Sequence, residues 1–352
     1  MQVEIREATL ADNSVLQALQ ARCPQGTSLV LSTVNTPDFF ARARAYPTHM
    51  IYVARIAGEP VGSAACAIRE ALLAGELRRV GYEFQYFTAP EHRGRGVARR
   101  LRGAIEAWLV AQGAVLSSAL IVEGNIPSMR LFEREGFGRQ RTLEVSALLP
   151  YRPVAVPARG RVRPIAPRDY PAAARLLNDT WAGHDLYATA SPERLAAFVA
   201  RTPGYDPADL WVLEEGDEVV ACLGAWDWGR ITRVTVERLS PRLRAIGAVL
   251  DVLRHLRPAP RLPRAGDALR QWALTPIAFR EPEHLAVLLR HANNEAVRRG
   301  ADQLVTVCEP GHPLLRACRG LFRVGVGGHL YVRGLRPLAL GGRPVYLDGI
   351  DL

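Results

Sequence analysis

A short stretch rich in glycine and arginine has the residue types needed to bind phosphate groups. Residues 93–98 follow an alternating run, 79–90, that predicts a long strand ended by a proline. A helix is predicted from about residue 95, so the glycines would let a ligand approach the first free N–H groups of that helix. Arg93 and Arg95 would add full positive charges able to pair with phosphate oxygens. The stretch, called the phosphate turn below, is therefore expected to hold a di- or polyphosphate.

Two common phosphate-binding motifs do not fit this turn. A P-loop requires lysine, whereas all 45 basic residues of the 352-residue chain are arginine. A Rossmann fingerprint has a third glycine and lies in the first strand–helix turn. Here Arg99 stands at the third glycine position, and the turn follows the fourth predicted strand. The pattern that remains is R-x-x-G-x-A, formed by Arg93, Gly96 and Ala98.

A second motif follows the next predicted strand. It consists of Asn125, a short predicted helix over 126–135, and Phe132 followed by Gly136-Phe137. The two motifs together, in strand–helix–strand–helix order, resemble the GNAT superfamily of acetyl-CoA-dependent N-acetyltransferases. One motif alone would be weak support for this resemblance, whereas the pair in register is specific.

The resemblance implies a set of residues for acetyl-CoA. The backbone of Phe87, Thr88 and Ala89 would pair with the pantetheine arm. The pyrophosphate would lie on the turn formed by Arg93, Gly94, Arg95, Gly96, Val97 and Ala98. Near the pantetheine or the thiol would be Asn125, Ser128 and Phe132. Asn125 suits a plain helix N-cap equally well, and no metal is implied.

Acetyl transfer to an amine needs a base, a polarised thioester carbonyl and a proton for the departing thiolate. The family often supplies that proton from a tyrosine at the position of Phe132, and a phenyl ring cannot donate one. Another group or water would then protonate the thiolate, or the domain is a slow catalyst. A backbone N–H of Thr88 or Ala89 would hold the thioester oxygen. The side-chain candidates for catalysis are Glu83, Tyr82 and Ser128.

Two of the catalytic candidates, Glu83 and Tyr82, have a second interpretation. Glu83 is the one carboxylate in a strand of aromatic residues, where burial would raise its pKa toward a useful value. It would equally face solvent or pair with an arginine. Tyr82 would equally form a pocket wall.

The elements that must position these residues occur twice along the chain. Periodicity predicts strands at 3–8, 79–90, 115–123 and 139–149, a hairpin at 50–68, and helices at 11–22, 37–46, 95–112 and 126–135. After a proline-rich linker at 151–160, strands are predicted at 160–167, 271–279, 302–309, 323–334 and 344–352. The same half has a predicted hairpin at 210–228 and helices at 169–181, 192–201, 282–299 and 313–321.

This repetition predicts a mixed α/β fold with a mostly antiparallel central sheet and flanking helices. The chain is expected to hold two tandem acyl-CoA N-acyltransferase-like domains, at 1–150 and 161–352. The second carries an inserted Arg/Pro-rich stretch at about 230–268 with an apolar helix over 245–256. The insert could recognise an anionic acceptor, or it could be a solvated basic face over the domain interface.

The second domain is expected to have lost its cofactor site. At the position of the phosphate turn it has Phe279-Arg280-Glu281-Pro282-Glu283, without glycine. Glu281 and Glu283 would suit the helix dipole and would repel a pyrophosphate. Gly320-Leu321-Phe322 only faintly repeats the second motif. The expected role of this domain is structural, or the shaping of the acceptor pocket.

Composition excludes several classes of protein. No apolar run is long enough to span a membrane, and the polar start is unlike a signal peptide, so a cytoplasmic protein without a membrane partner is expected. The five cysteines lack C-x-x-C spacing and the eight histidines lack metal-ligand spacing, so reduced thiols and no metal are expected. The net charge of +10 is carried by arginines that are not interleaved with aromatics, which argues against nucleic acid.

Two functions remain open on the sequence. The first is N-acetyl transfer to a small-molecule or peptide amine. The absence of lysine excludes self-acetylation on lysine. The second is a non-catalytic acyl-CoA-binding sensor or scaffold, which the phenyl ring of Phe132 favours. A homodimer is compatible with either.

Overall fold

The computed structural model describes residues 2–336 and 340–352. The first half contains strands β1 (Glu4–Glu7), β2 (Leu29–Asn35), β3 (Thr48–Ile56), β4 (Glu59–Leu73), β5 (Glu76–Thr88), β6 (Leu116–Val122) and β7 (Gly138–Leu148). Its helices are α1 (Asn13–Ala21), α2 (Val97–Ala111) and α3 (Ile126–Arg134).

The second half repeats this pattern with insertions. Its strands are β8 (Arg161–Pro164), β9 (Leu210–Glu215), β10 (Glu218–Asp227), β11 (Thr232–Leu239), β12 (Ala268–Leu269), β13 (Gln271–Phe279), β14 (Gln303–Cys308) and β15 (Arg323–Gly334). Its helices are α4 (Tyr170–Trp181), α5 (Pro192–Arg201), α6 (Pro241–Leu253), α7 (Pro282–Arg299) and α8 (Pro313–Ala317).

One sheet of 12 strands runs through both halves in the order β1-β3-β4-β5-β6-β15-β7-β14-β13-β10-β9-β8. The order is symmetrical, because β1, β3, β4, β5 and β6 from one end correspond to β8, β9, β10, β13 and β14 from the other. Neighbours are antiparallel except β5 with β6 and β13 with β14, which are parallel. The predicted mixed α/β class with a mostly antiparallel sheet is confirmed.

The two halves exchange their last strands at the centre of this sheet. β15 of the second half lies between β6 and β7, and pairs with β6 from Gly328 to Gly334. β7 of the first half pairs in turn with β14 of the second. Leu330 of β15 is buried in a cluster with Leu116 and Leu143 of the first half and Val307 of the second. The cores of the halves are therefore continuous.

In each half, an arginine–aspartate ion pair links the first strand to the start of the first helix. Arg6 of β1 pairs with Asp12 at 2.5 Å, and Arg163 of β8 pairs with Asp169 at 2.5 Å. Each aspartate also accepts a backbone N–H three residues before it, at 2.9 and 2.7 Å. The Arg6 guanidinium lowers the pKa of Asp12 to about 2. Internal repetition thus extends to single side chains.

Helices cover both faces of the sheet. On one face of the first half, Tyr82 and Phe84 pack in a cluster with Leu16 of α1 and with Tyr46. On the other face, α2 packs against Cys66 and its neighbours on β4. Adjacent residues of β5 therefore point to opposite faces of the sheet and face different helices.

Three segments differ from the sequence-based predictions. Residues 29–35 form strand β2, which pairs with β11 of the insert and, through it, with β12 in a separate 3-stranded sheet. The helix predicted over 37–46 is wrong, since only a 3-10 turn at Ala43–Ala45 is helical there. The strand predicted over 344–352 is also wrong. Asp348 caps a 3-10 helix at Gly349–Asp351 instead, because its carboxylate accepts the Ile350 N–H at 3.2 Å.

Candidate functional site

A wedge-shaped opening separates β5 from β6. The two strands pair over only three positions, from Val80–Leu116 to Tyr82–Ser118, and diverge beyond them. β5 also carries a bulge against β4, between the pairs that Ala65 and Ser63 make. Gln85 lies in this bulge with a φ of +54°. One edge of residues 83–88 therefore faces the opening rather than a neighbouring strand.

The phosphate turn lies at the open end of this wedge. Gly94 and Gly96 have φ values of +73° and +76°, which favour glycine, and a Cβ at either would meet open space. Gly96 is the N-cap of α2, so the N–H groups of the first turn of that helix have no partners within it. Arg93 is exposed and its Nε donates to the Thr88 carbonyl at 3.3 Å. This geometry suits an anion.

The second motif lies on the other side of the opening, at the end of β6. Asn125 caps α3, since its Oδ1 accepts the Ser128 N–H at 3.4 Å. Phe132 is buried, with ring centroids 5.5 Å from Tyr86 of β5 and 4.8 Å from Phe137. The structure therefore brings the two motifs to opposite sides of one opening.

Glu83 is buried at the narrow end of the wedge, on the face covered by α2. Its Oε1 accepts the Ser117 hydroxyl at 2.6 Å, and its Oε2 accepts the Tyr86 hydroxyl. Burial raises the pKa of the Glu83 carboxyl, and these two hydrogen bonds oppose that rise. Glu83 therefore neither faces solvent nor forms an ion pair with an arginine.

Tyr82 points to the opposite face from Glu83. Its ring stacks on Phe84 at 5.9 Å, and its hydroxyl donates to the Asp351 carbonyl. Burial raises the pKa of Tyr82 well above its usual range. Ser128 lies on α3, across the opening from both. The three catalytic candidates are thus distributed around the wedge and are not hydrogen-bonded to one another.

Glu83→Gln is expected to change how stability depends on pH. A carboxyl whose pKa is raised by folding binds more protons in the native than in the unfolded state between the two pKa values. The free energy of unfolding of the wild type should therefore fall relative to that of Glu83→Gln as pH rises from about 4.5 through the raised pKa. Urea unfolding over this pH range measures the difference. Parallel pH profiles for the two proteins would contradict this placement of Glu83.

A segment that the sequence-based reasoning missed, residues 23–28, crosses the mouth of the wedge. The Cys23 thiol donates to the Thr88 carbonyl at 3.3 Å, and Gln25 Nε2 donates to the Tyr86 carbonyl at 3.3 Å. A Cβ on Gly124, at the end of β6, would lie 2.9 Å from the Thr27 hydroxyl. We call residues 23–28 the mouth segment. Its residues show no periodicity, so only the three-dimensional structure reveals this role.

The second half has the same wedge between β13 and β14, but it is closed. Only Arg280 and Glu281 separate the end of β13 from the start of α7, so the turn itself is missing. The wedge is filled by residues 345–350 of the chain. A Cβ on Gly349 would lie 2.7 Å from the Leu274 carbonyl. The space left there is about 10 Å³, lined in part by Trp181, Leu274 and Tyr346.

No group of His, Cys, Asp and Glu side chains suited to a metal ion occurs among residues 2–336 and 340–352. All five cysteines are free and buried. None of the helices described here is long and apolar enough to cross a membrane.

Comparison with known proteins agrees with this geometry. Residues 16–137 match the model of the acetyltransferase (GNAT) family. No curated protein matches the sequence. The segment matched by the family model contains both the phosphate turn and the second motif.

Solved structures extend the likeness to the whole chain. A GCN5-related N-acetyltransferase from Sphaerobacter thermophilus has 17% identity and a TM-score of 0.56, over 96% of this chain and 97% of that one. Another, from Anabaena variabilis, has 10% identity and a TM-score of 0.56, over 95% of this chain and 73% of that one. Saccharomyces cerevisiae N-myristoyltransferase with bound myristoyl-CoA has 11% identity and a TM-score of 0.64, over 94% of this chain and 82% of that one. The predicted tandem GNAT fold is confirmed.

Proposed function

We propose that this protein is an acetyl-CoA-dependent N-acetyltransferase whose first half holds the cofactor. The observation that carries the proposal is the phosphate turn at the open end of the wedge between β5 and β6. Two glycines with positive φ, the free N–H groups of α2 and two exposed arginines lie together there. The family match over residues 16–137 supports acyl-CoA as the ligand.

The residues around the wedge suit each part of acetyl-CoA. The N–H groups of residues 94–98 and the guanidinium groups of Arg93 and Arg95 would bind the pyrophosphate. The edge of Phe87, Thr88 and Ala89 would pair with the amides of the pantetheine arm. The Ala89 N–H donates to the Val61 carbonyl at 2.9 Å, so the Thr88 N–H is the better candidate to hold the thioester oxygen. Asn125, Ser128 and Phe132 would line the other side of the arm. Bound acetyl-CoA supplies the activated thioester.

Proton transfer would involve the residues at the narrow end of the wedge. Glu83 would accept a proton from the amine, directly or through water, because a raised pKa makes it a better base near neutral pH. Ser128 would supply a further hydroxyl group, whereas the Tyr82 hydroxyl donates to the Asp351 carbonyl on the opposite face of the sheet. Phe132 has no proton to donate, so the thiolate would take one from another group. Tyr86 packs on Phe132 and shares a hydrogen bond with Glu83, which makes it a candidate.

The proposed domain division keeps 1–150 as the acetyl-CoA domain, 151–160 as the linker and 161–352 as the degenerate domain. The absence of a turn and the filled wedge of the second half support one cofactor site per chain. The acceptor would be a small-molecule or peptide amine. We retain the expectations of a cytoplasmic location and of a homodimer as proposals.

The second candidate function is a non-catalytic acyl-CoA sensor, which the buried phenyl ring of Phe132 favours. A sensor would use the same cofactor site as the enzyme but would not transfer the acetyl group. Calorimetric titration with acetyl-CoA and a thiol-release assay with a panel of amines separate the two.

One acetyl-CoA per chain together with amine-dependent release of CoA is the expected result. Binding without release over the whole panel would favour the sensor. Two acetyl-CoA molecules per chain would contradict the assignment of the second half, and no binding would overturn both functions. Repeating the titration with longer acyl chains tests the preference for acetyl.

A further inference from the structure

The outer face of α6 is apolar and is not covered by any described part of the chain. Ile246, Val249, Val252 and, just beyond the helix, Leu256 are between 41% and 81% exposed. Their spacing of three or four residues places them on one side of the helix. The opposite side packs inward, where Leu243 contacts the apolar cluster of β11 and β12. A continuous apolar face of this kind marks an interaction surface.

The charges that border this face are positive. Between residues 241 and 257 the one acid is Asp251, which pairs with Arg254 at 3.4 Å and with Arg264 at 2.9 Å. Arg242, Arg244 and Arg257 are exposed, and within residues 2–336 and 340–352 they form no ion pair. The face therefore has arginines at both ends and lacks acids to balance them.

This charge distribution decides between partners. Two copies of the chain packed through α6 would bring arginines of one copy against arginines of the other at both helix ends, in either orientation. A bilayer containing anionic lipids offers an apolar interior to the exposed side chains and negative headgroups to the arginines. The second partner fits both the apolar and the charged features of the face.

We propose that α6 is an interfacial helix that docks the protein on anionic lipid bilayers. Val249, Val252 and Leu256 would enter the boundary between headgroups and acyl chains, and Arg242, Arg244 and Arg257 would contact lipid phosphates. The expectation that the chain has no membrane partner came from the lack of a spanning segment, which an interfacial helix does not need. The inference does not depend on the proposed enzyme activity.

Docking through α6 would also orient the wedge. The Ser240 N–H, at the start of α6, donates to the carbonyl of Ser28 at 2.7 Å, and Ser28 is the last residue of the mouth segment. α6 is therefore joined directly to the segment that crosses the opening between β5 and β6. A docked α6 would hold that opening close to the lipid surface.

Sedimentation of the full chain with vesicles tests the proposal. We expect binding to phosphatidylcholine vesicles that contain phosphatidylglycerol, much weaker binding to phosphatidylcholine alone, and weakening as salt is raised. Val249→Asp/Val252→Asp should lower the partition coefficient at least tenfold. Replacing Arg242, Arg244 and Arg257 singly with Gln should lower it about fivefold each.

The matched control is Leu10→Asp/Val110→Asp, which likewise replaces two exposed apolar residues with aspartate, in the first half of the chain. It should bind vesicles as the wild type does, and all variants should keep the wild-type circular dichroism. Equal binding to both kinds of vesicle, no binding, or full binding by Val249→Asp/Val252→Asp would overturn the proposal. So would a dimer in analytical ultracentrifugation that Val249→Asp/Val252→Asp dissociates, since a second copy would then cover the face.

Discussion

Arg93→Glu/Gly96→Glu is expected to weaken acetyl-CoA binding about 100-fold or more while the fold is retained. Arg93 loses a charge-assisted hydrogen bond to phosphate, worth about 1.5–3 kcal/mol. The carboxylate at position 96 stands at the first free N–H groups of α2, where it would compete with the pyrophosphate and repel it. A combined loss of about 3 kcal/mol corresponds to roughly 100-fold in Kd. Calorimetric titration measures it.

The matched control for this variant is Arg175→Glu/Gly113→Glu. Gly113 has a φ of +78°, close to the +76° of Gly96, and a Cβ at either meets open space. Both double variants therefore introduce the same backbone strain and the same change of charge, but only one alters the turn. Equal loss of binding in the two would show that the effect is not local. Full binding by Arg93→Glu/Gly96→Glu would mean that acetyl-CoA does not use this turn.

Leu330→Ala is expected to lower the free energy of unfolding of the whole chain by about 2–5 kcal/mol, which is the usual cost of removing a fully buried leucine side chain. Leu330 belongs to β15 of the second half, yet it packs against Leu116 and Leu143 of the first. Because β15 is hydrogen-bonded to both β6 and β7, the halves should unfold in one transition. Urea unfolding followed by circular dichroism and by acetyl-CoA binding tests this.

Leu77→Ala, which truncates a half-exposed leucine of β5, is the control and should change stability by no more than about 0.5 kcal/mol. For Leu330→Ala, binding and circular dichroism should be lost at the same urea concentration. Two separate transitions, with acetyl-CoA still bound after the second half has unfolded, would show that the exchanged strands do not couple the halves.

Local patterns made the candidate site predictable. The phosphate turn and the cap at Asn125 depend on residues adjacent in sequence, so glycine positions and helix caps were sufficient to find them. The loss of the turn before α7 was equally clear, because Glu281 and Pro282 leave no room for a loop. Phe132 was found in the same way, since it occupies a fixed place after Asn125.

Long-range pairings were not predictable in the same way. The alternation over 323–334 predicts a strand, but nothing in it tells which strands it pairs with. The exchange of β7 and β15 follows from packing between halves. β2 was missed because its partner, β11, lies in an insert almost 200 residues away. Residues 344–352 read as a strand, whereas Asp348 caps a helical turn and Gly349 fits closely against β13.

The exchange of β7 and β15 also has an evolutionary consequence. The second half has no phosphate turn before α7, yet its β15 completes the sheet of the first half and its β11 holds β2 beside the mouth segment. Selection on the first half therefore acts directly on side chains of the second. Deleting the second half would remove β15 and part of the core of the first, and deleting the first half would remove β7 from beside β14.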